Sequence, residues 1–341
     1  MSQALFEGLQ PGSDRAEVVI QPAIPPLRCS VGVMAYNEVQ NIGLLLEALG
    51  AQQLEHAAIV EIIVVASGCT DGTEDVVRRH GKRDGRIRLL VQERREGKAS
   101  AINLFLGQAV GDVLVLESAD TLPSQETFAN LLAPFSDPSV GMTGARPRPV
   151  DSRRTVMGYS SHFLWSMHHT LALHTPKLGE LVAFRRLMGS IPADTAVDEA
   201  AIEAAVARAG YGIRYVGNAI VLNKGPESLH DYLVQRRRII AGHKHLARTQ
   251  HYSVASTEVP LILGTFCRKL WVHVRLAARQ ARRRQLAELR WFVGKRITWS
   301  LYVGAAVCLE TLATVLGAYD YHIRRRNPFV WEIAPSTKRL R

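Results

Sequence analysis

Short apolar, β-branched runs alternate with segments of helical spacing from Arg28 to residue 116. Residues 30–34, 60–65, 87–91 and 113–116 read as strands, and 60–65 is nearly continuous in apolar character, as in a strand buried on both faces. Between them, 41–49, 71–80 and 98–108 read as helices. This alternation predicts an α/β domain with a mainly parallel sheet and right-handed crossovers, whose ligands sit beyond the carboxyl ends of the strands. Asp71 and Asp120 each fall just past such an end, so the topology is expected to bring them to one rim.

The pattern is less regular further on. Residues 140–145 read as a strand and 157–174 as a helix that stops before Pro176. An alanine-rich helix over 200–209 ends at Gly210, and 213–216 and 219–222 read as two closing strands. Ser228 is a candidate N-cap for a helix that carries Gln235-Arg236-Arg237-Arg238. Everything after Pro260 reads as helix. There, 297–309 is uncharged, Glu310 interrupts, and 311–319 is apolar again. The stretch is long enough to cross a bilayer, which takes about 20 residues. A glutamate within a span costs roughly 2.5 kcal/mol or more. An interfacial amphipathic helix, a span and a soluble core helix all stay open. The expected organisation is a flexible leader (1–27), a catalytic domain (28–250) and a C-terminal helical, membrane-associated region (251–341).

Charge and cysteines narrow the class. The chain of 341 residues carries a formal charge of +11, concentrated between Arg268 and Arg296 and again at Arg324-Arg325-Arg326. That distribution suits a nucleotide diphosphate and an anionic membrane surface. Nucleic acid is not expected, because the basic stretch holds no recognised motif and few aromatic residues. Cys29, Cys69, Cys267 and Cys308 are scattered without a Cys-x-x-Cys pair, which argues against a disulfide framework or structural zinc and fits a reducing cytoplasm. The N-terminus lacks a basic start followed by an apolar run, so it reads as a loose leader and not a signal peptide.

Several polar clusters sit where chemistry needs them, each with a plainer alternative. Tyr36-Asn37-Glu38 follows the first strand, where the carboxylate could meet a ribose or base, or cap the next helix. Ala66-Ser67-Gly68-Cys69-Thr70-Asp71-Gly72-Thr73 is a glycine-bearing strand-to-helix turn that could approach phosphates or be only a tight turn. Lys98 lies in a first helical turn, where a cation is disfavoured unless an anion meets it. In Ser118-Ala119-Asp120 a carboxylate ends an apolar strand, well placed for Mg2+ or Mn2+ and poorly placed for stability, or else caps a helix. Asp198-Glu199 could hold a general base or simply complement a helix dipole. Gln235 and Arg238, three apart, share a helix face and can point at one ligand. His168, His169 and His174 lack the i,i+4 spacing of a helical metal pair.

In order and spacing these pieces resemble the family 2 glycosyltransferases of GT-A fold, similar to membrane-associated synthases of cellulose, hyaluronan and poly-N-acetylglucosamine. The matches are Tyr36-Asn37-Glu38, Thr70-Asp71-Gly72-Thr73, Gly97-Lys98-Ala99, Ala119-Asp120, Gly179-Glu180-Leu181-Val182-Ala183-Phe184-Arg185, Asp198-Glu199 and Gln235-x-x-Arg238. The resemblance implies that Asp120 binds the divalent metal and that Asp198 or Glu199, with Glu199 preferred, is the base. It also implies that Tyr36, Glu38, Asp71, Lys98, Ser118, Gln235 and Arg238 line the substrate site. Ala66, Ser118 and Ile239 depart from the family pattern, which bears on nucleotide identity, metal affinity and processivity.

The expected function is an inverting transfer of sugar from a nucleotide-diphosphate sugar, a UDP-sugar first, to a lipid or glycan hydroxyl. The expected place is the cytoplasmic face of the cell membrane. The alternatives are a nucleotidyltransferase of similar fold and a degenerate protein that binds a donor or an anionic surface without turnover.

Overall fold

The computed structural model describes residues 26–258, 260–268, 271, 275, 286–327, 329, 330, 332 and 335–338. Nearly all of the expected leader lies outside these residues. The side chains of 286–299, including Trp291 and Trp299, aromatic rings suited to a headgroup boundary, lie outside them too.

An eight-stranded mixed sheet runs in the order β3-β2-β1-β4-β7-β6-β8-β5. Its first half is the predicted parallel unit. β1 (Leu27–Ala35) lies between β2 (Ala57–Ser67) and β4 (Val113–Ser118), with β3 (Ile87–Gln92) at the edge. The crossovers are α1 (Ile42–Gly50), α2 (Thr73–Gly81) and α3 (Lys98–Gln108). Val31, Val33, Ile62, Val64, Val113 and Val115 are fully buried, as their continuous apolar pattern requires. Because Met34 pairs with Ser118 and Ala35 with Ala66, the carboxyl ends of β1, β2 and β4 form one rim.

The second half departs from simple alternation. β5 (Leu122–Pro123) and α4 (Thr127–Leu132) follow Asp120, and neither carries a pattern long enough to read from sequence. β6 (Val140–Pro149), α5 (Val156–Ala172), β7 (Val182–Arg185) and α6 (Asp198–Arg208) come next. β7 runs antiparallel to both β4 and β6, so its amino end, preceded by Glu180, meets the carboxyl end of β4. The two expected closing strands are one, β8 (Gly212–Asn223), which pairs with β6 across a register shift between Gly144 and Arg146. The turn-like Gly217-Asn218 marks that irregularity and not a break.

α7 (Leu229–Gln250) begins at the expected cap, with the Ser228 hydroxyl accepting from the Asp231 amide at 3.1 Å. The tail helix (Leu286–His322) packs along α7 and α5. Val303, Ala306, Ala313 and Asp320 are buried, and with Glu310 and Gly317 they form a seam of alternating three- and four-residue steps. A Cβ on Gly317 would come to 2.8 Å from Ile240 Cβ, so only glycine lets the helices approach this closely. Glu310 is not stranded in apolar surroundings: Arg236 donates to it at 2.8 and 2.7 Å, and Tyr232 also donates. Arg237 makes a matching pair with Asp320 at 2.8 Å twice. Leu301, Leu312, Val315 and Tyr319 remain exposed on the helix.

Candidate active site

The strand ends and α7 enclose one cleft. Ala35, Tyr36 and Glu38 form one wall, Ser118 and Asp120 the floor, and Gln235 and Arg238 the facing wall. Lys98 and Arg95 reach in from the β3–α3 connection. Ten residues read from sequence as site residues are therefore sorted as follows: seven line the cleft, while Asp71, Asp198 and Glu199 stand behind it.

Asp71 locks the rim. Its carboxylate accepts from the Thr73 amide (3.0 Å), the Thr73 hydroxyl (2.5 Å) and the Val39 amide (3.0 Å). Thr73 in turn accepts from the Glu38 amide at 2.8 Å. These bonds bind the β2–α2 turn to the β1–α1 loop and lower the Asp71 pKa despite partial burial. Asp71 thus positions Glu38, and it lines the neighbouring hollow beside Tyr36 and Asn37. Gly68, at φ 66°, lets this turn touch the β3–α3 loop; a Cβ there would lie 2.7 Å from the Arg95 amide. Arg95 stacks over the Tyr36 ring at 4.3 Å.

Lys98 meets the anion that its place in a first helical turn demands, and that anion belongs to the protein. Its ammonium lies 2.7 Å from Asp198 and 3.0 Å from Glu199. Burial penalises the Lys98 charge, but the two acids more than compensate and hold it protonated. They differ from each other. Burial and repulsion from Glu199 raise Asp198, whereas in Glu199 the burial cost is outweighed by Lys98, its own amide and Arg238, so it stays ionised. The Glu199 side chain is 19% exposed against 2% for Asp198, so Glu199 is the less enclosed member of the pair. Burial lowers Arg238 to about 10 against the pull of Asp198, Glu199, Glu180 and Asp120, which leaves it cationic at neutral pH.

The sequence reading missed three groups. Glu117, buried at the end of β4, accepts from Thr121 and is raised to about 8 by burial, then by Glu180 and Asp120. Glu180, raised to about 7 by burial, Asp120 and Glu199, stands at the entry to β7. The third is Lys338, from the far end of the chain, which pairs with Glu38, itself raised to about 7 by burial and Asp120. Lys338 further donates to the Tyr36 carbonyl at 2.9 Å and, with Glu332 and Thr337, lines the cleft. Glu180 lay within a quoted motif and could have been found there; Lys338 carried no local signal.

Arg236 and Arg237 turn away to the tail helix. The histidines form no metal site: His169 bonds the Tyr215 hydroxyl at 2.9 Å and His174 contacts Arg268 at 2.6 Å. His168 is buried among aromatic rings. Among the described residues no three metal-binding side chains converge.

Comparison with known proteins agrees with this geometry. Residues 30–192 match the family model described as glycosyl transferase family 2. Over that segment the chain is similar to a family 2 glycosyltransferase domain. It is 27% identical over 115 residues to glycosyltransferase AglE of Haloferax volcanii, covering 34% of this chain and 38% of that protein. It is 26% identical over 256 residues to the poly-beta-1,6-N-acetyl-D-glucosamine synthase of Staphylococcus aureus, covering 70% and 61%. The chain thus spans less than two thirds of either relative. The fold is that of the mannosyltransferase PcManGT from Pyrobaculum calidifontis, solved with GDP-Man and Mn2+, at TM-score 0.62, 24% identity and 88% coverage of each chain. The family model and these relatives are glycosyltransferases, which favours that reading over the nucleotidyltransferase alternative.

Proposed function

We propose that this glycosyltransferase inverts the anomeric centre as it moves a sugar from a nucleotide-diphosphate sugar to a lipid or glycan hydroxyl at a membrane surface. The observation that carries the reading is the cleft itself. Asp120 on its floor, Arg238 on its far wall and Glu199 behind Lys98 supply a metal ligand, a diphosphate partner and a base.

The nucleoside would lie along Tyr36 and Glu38, and the diphosphate between Asp120 and Arg238. Glu199, kept ionised by Lys98, takes the proton of the acceptor hydroxyl. The acceptor oxygen then bonds to the anomeric carbon from the face opposite the diphosphate, whose bond to that carbon breaks with its electron pair leaving on the phosphate oxygen. Arg238 meets the charge that develops there, and Gln235 steadies the same end. The donor set fits a divalent cation of the kind present with the Pyrobaculum enzyme. Asp120 lies amid acids that repel one another, a negative surplus that a cation would relieve. Mg2+ or Mn2+ commonly takes one or two protein carboxylates and fills its shell with phosphate oxygens and water. Held by Asp120, it would neutralise charge on the departing diphosphate.

The apolar outer face of the tail helix and the Arg324-Arg325-Arg326 cluster support docking on an anionic membrane surface, in keeping with the cytoplasmic side. Residues Ser300–His322 also meet the length and composition of a span. The seam that Glu310 and Asp320 make with α7 favours a helix held against the catalytic domain.

The test is to incubate the full chain with UDP-glucose, UDP-N-acetylglucosamine or GDP-mannose, with Mn2+ or EDTA, and to measure release of nucleoside diphosphate. Metal-dependent release from at least one donor is expected. Neither release nor saturable binding of any of the three would contradict the reading.

A further inference from the structure

Glu180 holds a backbone conformation that its side chain does not favour. Its φ is 64°, in the left-handed region. Among the described residues three other non-glycines share that region, and each has a local reason. Asn37 is of a type that tolerates it, and its side chain accepts from the Thr70 amide at 2.8 Å. His251 and Arg325 follow the ends of helices, where the chain commonly turns this way. Glu180 ends no helix, and a glycine stands beside it at 179. Strain of this kind persists where surrounding structure over-determines it, most often at functional sites.

The sheet topology places this residue. β4 and β7 pair Leu116 with Val182, so Glu180, two residues before Val182, lies beside the β4 end that carries Ser118 and Asp120. On the other side Asn223, at the end of β8 and only 5% exposed, donates to the Glu180 carboxylate at 3.4 Å. The Asn223 side-chain oxygen is buried with no hydrogen-bond partner. The nearby charges that act on Glu180 are Asp120 and Glu199, with Lys98 as counter-charge. The strand pairing thus sets it beside the residue assigned to the metal-bound diphosphate, and its charge is felt by the same cluster that holds the residue assigned to the base.

We propose that Glu180 binds hydroxyl or amide groups of the donor's sugar ring, with Asn223 beside it, and so selects which sugar is transferred. The proposal rests on the donor site described above. A carboxylate accepts from ring hydroxyls, and the Asn223 oxygen can take a further N–H or O–H from the same ring.

The experiment compares the full chain with Glu180→Gly and Glu180→Gln by calorimetric titration in Mn2+. The probes are UDP, GDP, UDP-glucose, UDP-N-acetylglucosamine and GDP-mannose. Glu180→Gly keeps the backbone conformation and removes the carboxylate. It should unfold at the same or a higher temperature and bind UDP and GDP unchanged. It should bind the preferred nucleotide sugar about tenfold or more weakly, the size of one lost charged hydrogen bond. Glu180→Gln, which retains an acceptor, should lose less and shift the ranking of the sugars. Equal weakening of free diphosphates and nucleotide sugars, or no weakening of either, would overturn the proposal while leaving the donor site standing. If the unmodified chain binds none of the five, the donor site and this proposal fall together.

Discussion

Lys98 shows how a residue that looks misplaced in sequence can be explained by a partner about a hundred positions away. The dipole argument requires an anion, and Asp198 and Glu199 supply it at 2.7 and 3.0 Å. Glu199→Gln should reduce transfer more than about 100-fold, the lower end of what a positioned base contributes, with donor binding nearly unchanged. If Asp198→Asn alone abolishes transfer while Glu199→Gln does not, the base is Asp198. The acids of the rim also set a pH dependence. Glu38, Glu117 and Glu180, ordinarily near 4.5, titrate at about 7, 8 and 7 in the folded chain. The folded state then holds more protons than the unfolded one, so stability falls as pH rises through that window. Burial lowers His168 and His243 from about 6.5, which acts in the opposite sense only below that pH. Between pH 6.5 and 8 the melting temperature of the ligand-free chain should therefore fall, and Glu117→Gln should flatten the slope. A melting temperature that rises across this range would contradict the assignment. At this scale the sequence disclosed which acids end strands, but not Glu117 or Glu180, whose significance arises from strand pairing alone.

At the scale of elements, the first half of the domain was readable because each strand and helix there follows its own period. Helix 98–108 is found as Lys98–Gln108, and the strand at 60–65 as Ala57–Ser67. The second half was less readable because its order depends on pairing between distant segments. The four-residue β7 has no periodicity of its own, and its reversed direction is fixed by its neighbours β4 and β6. β8 continues through Gly217-Asn218, which locally read as a turn. The tail helix carried an ambiguity of a different kind. Its apolar run met the length of a span, yet Glu310 and Asp320 are the partners of Arg236 and Arg237. Gly317→Leu should wedge this seam open and lower stability by about 1–3 kcal/mol, as over-packing does. Gly304→Leu is the control, since nothing lies within 4 Å of its added Cβ. Equal effects of the two in thermal unfolding would argue against the packed seam.

For the whole molecule, the tail joins both walls of the cleft. The helix grips α7, and the segment beyond it ties Ser336 to Asp231 and Lys338 to Glu38. This closure spans about 300 residues of chain and left no mark on any local pattern. The exposed Leu301, Leu312, Val315 and Tyr319, followed by Arg324-Arg325-Arg326, should carry the full chain onto anionic vesicles. At about 1 kcal/mol per basic residue near the surface, replacing the three arginines by glutamine should weaken sedimentation with vesicles by roughly two orders of magnitude. High salt should release a docked helix, whereas retention until detergent is added would mean a span. The central claim is that Asp120 holds the metal against the donor diphosphate, and metal-dependent donor turnover by Asp120→Asn tests it most directly. The variant should fold, with a melting temperature no lower than the parent's because repulsion on Glu38, Glu117 and Glu180 is relieved, and it should release no nucleoside diphosphate at metal concentrations that saturate the parent. Turnover close to the parent value at matched Mn2+ would contradict the account.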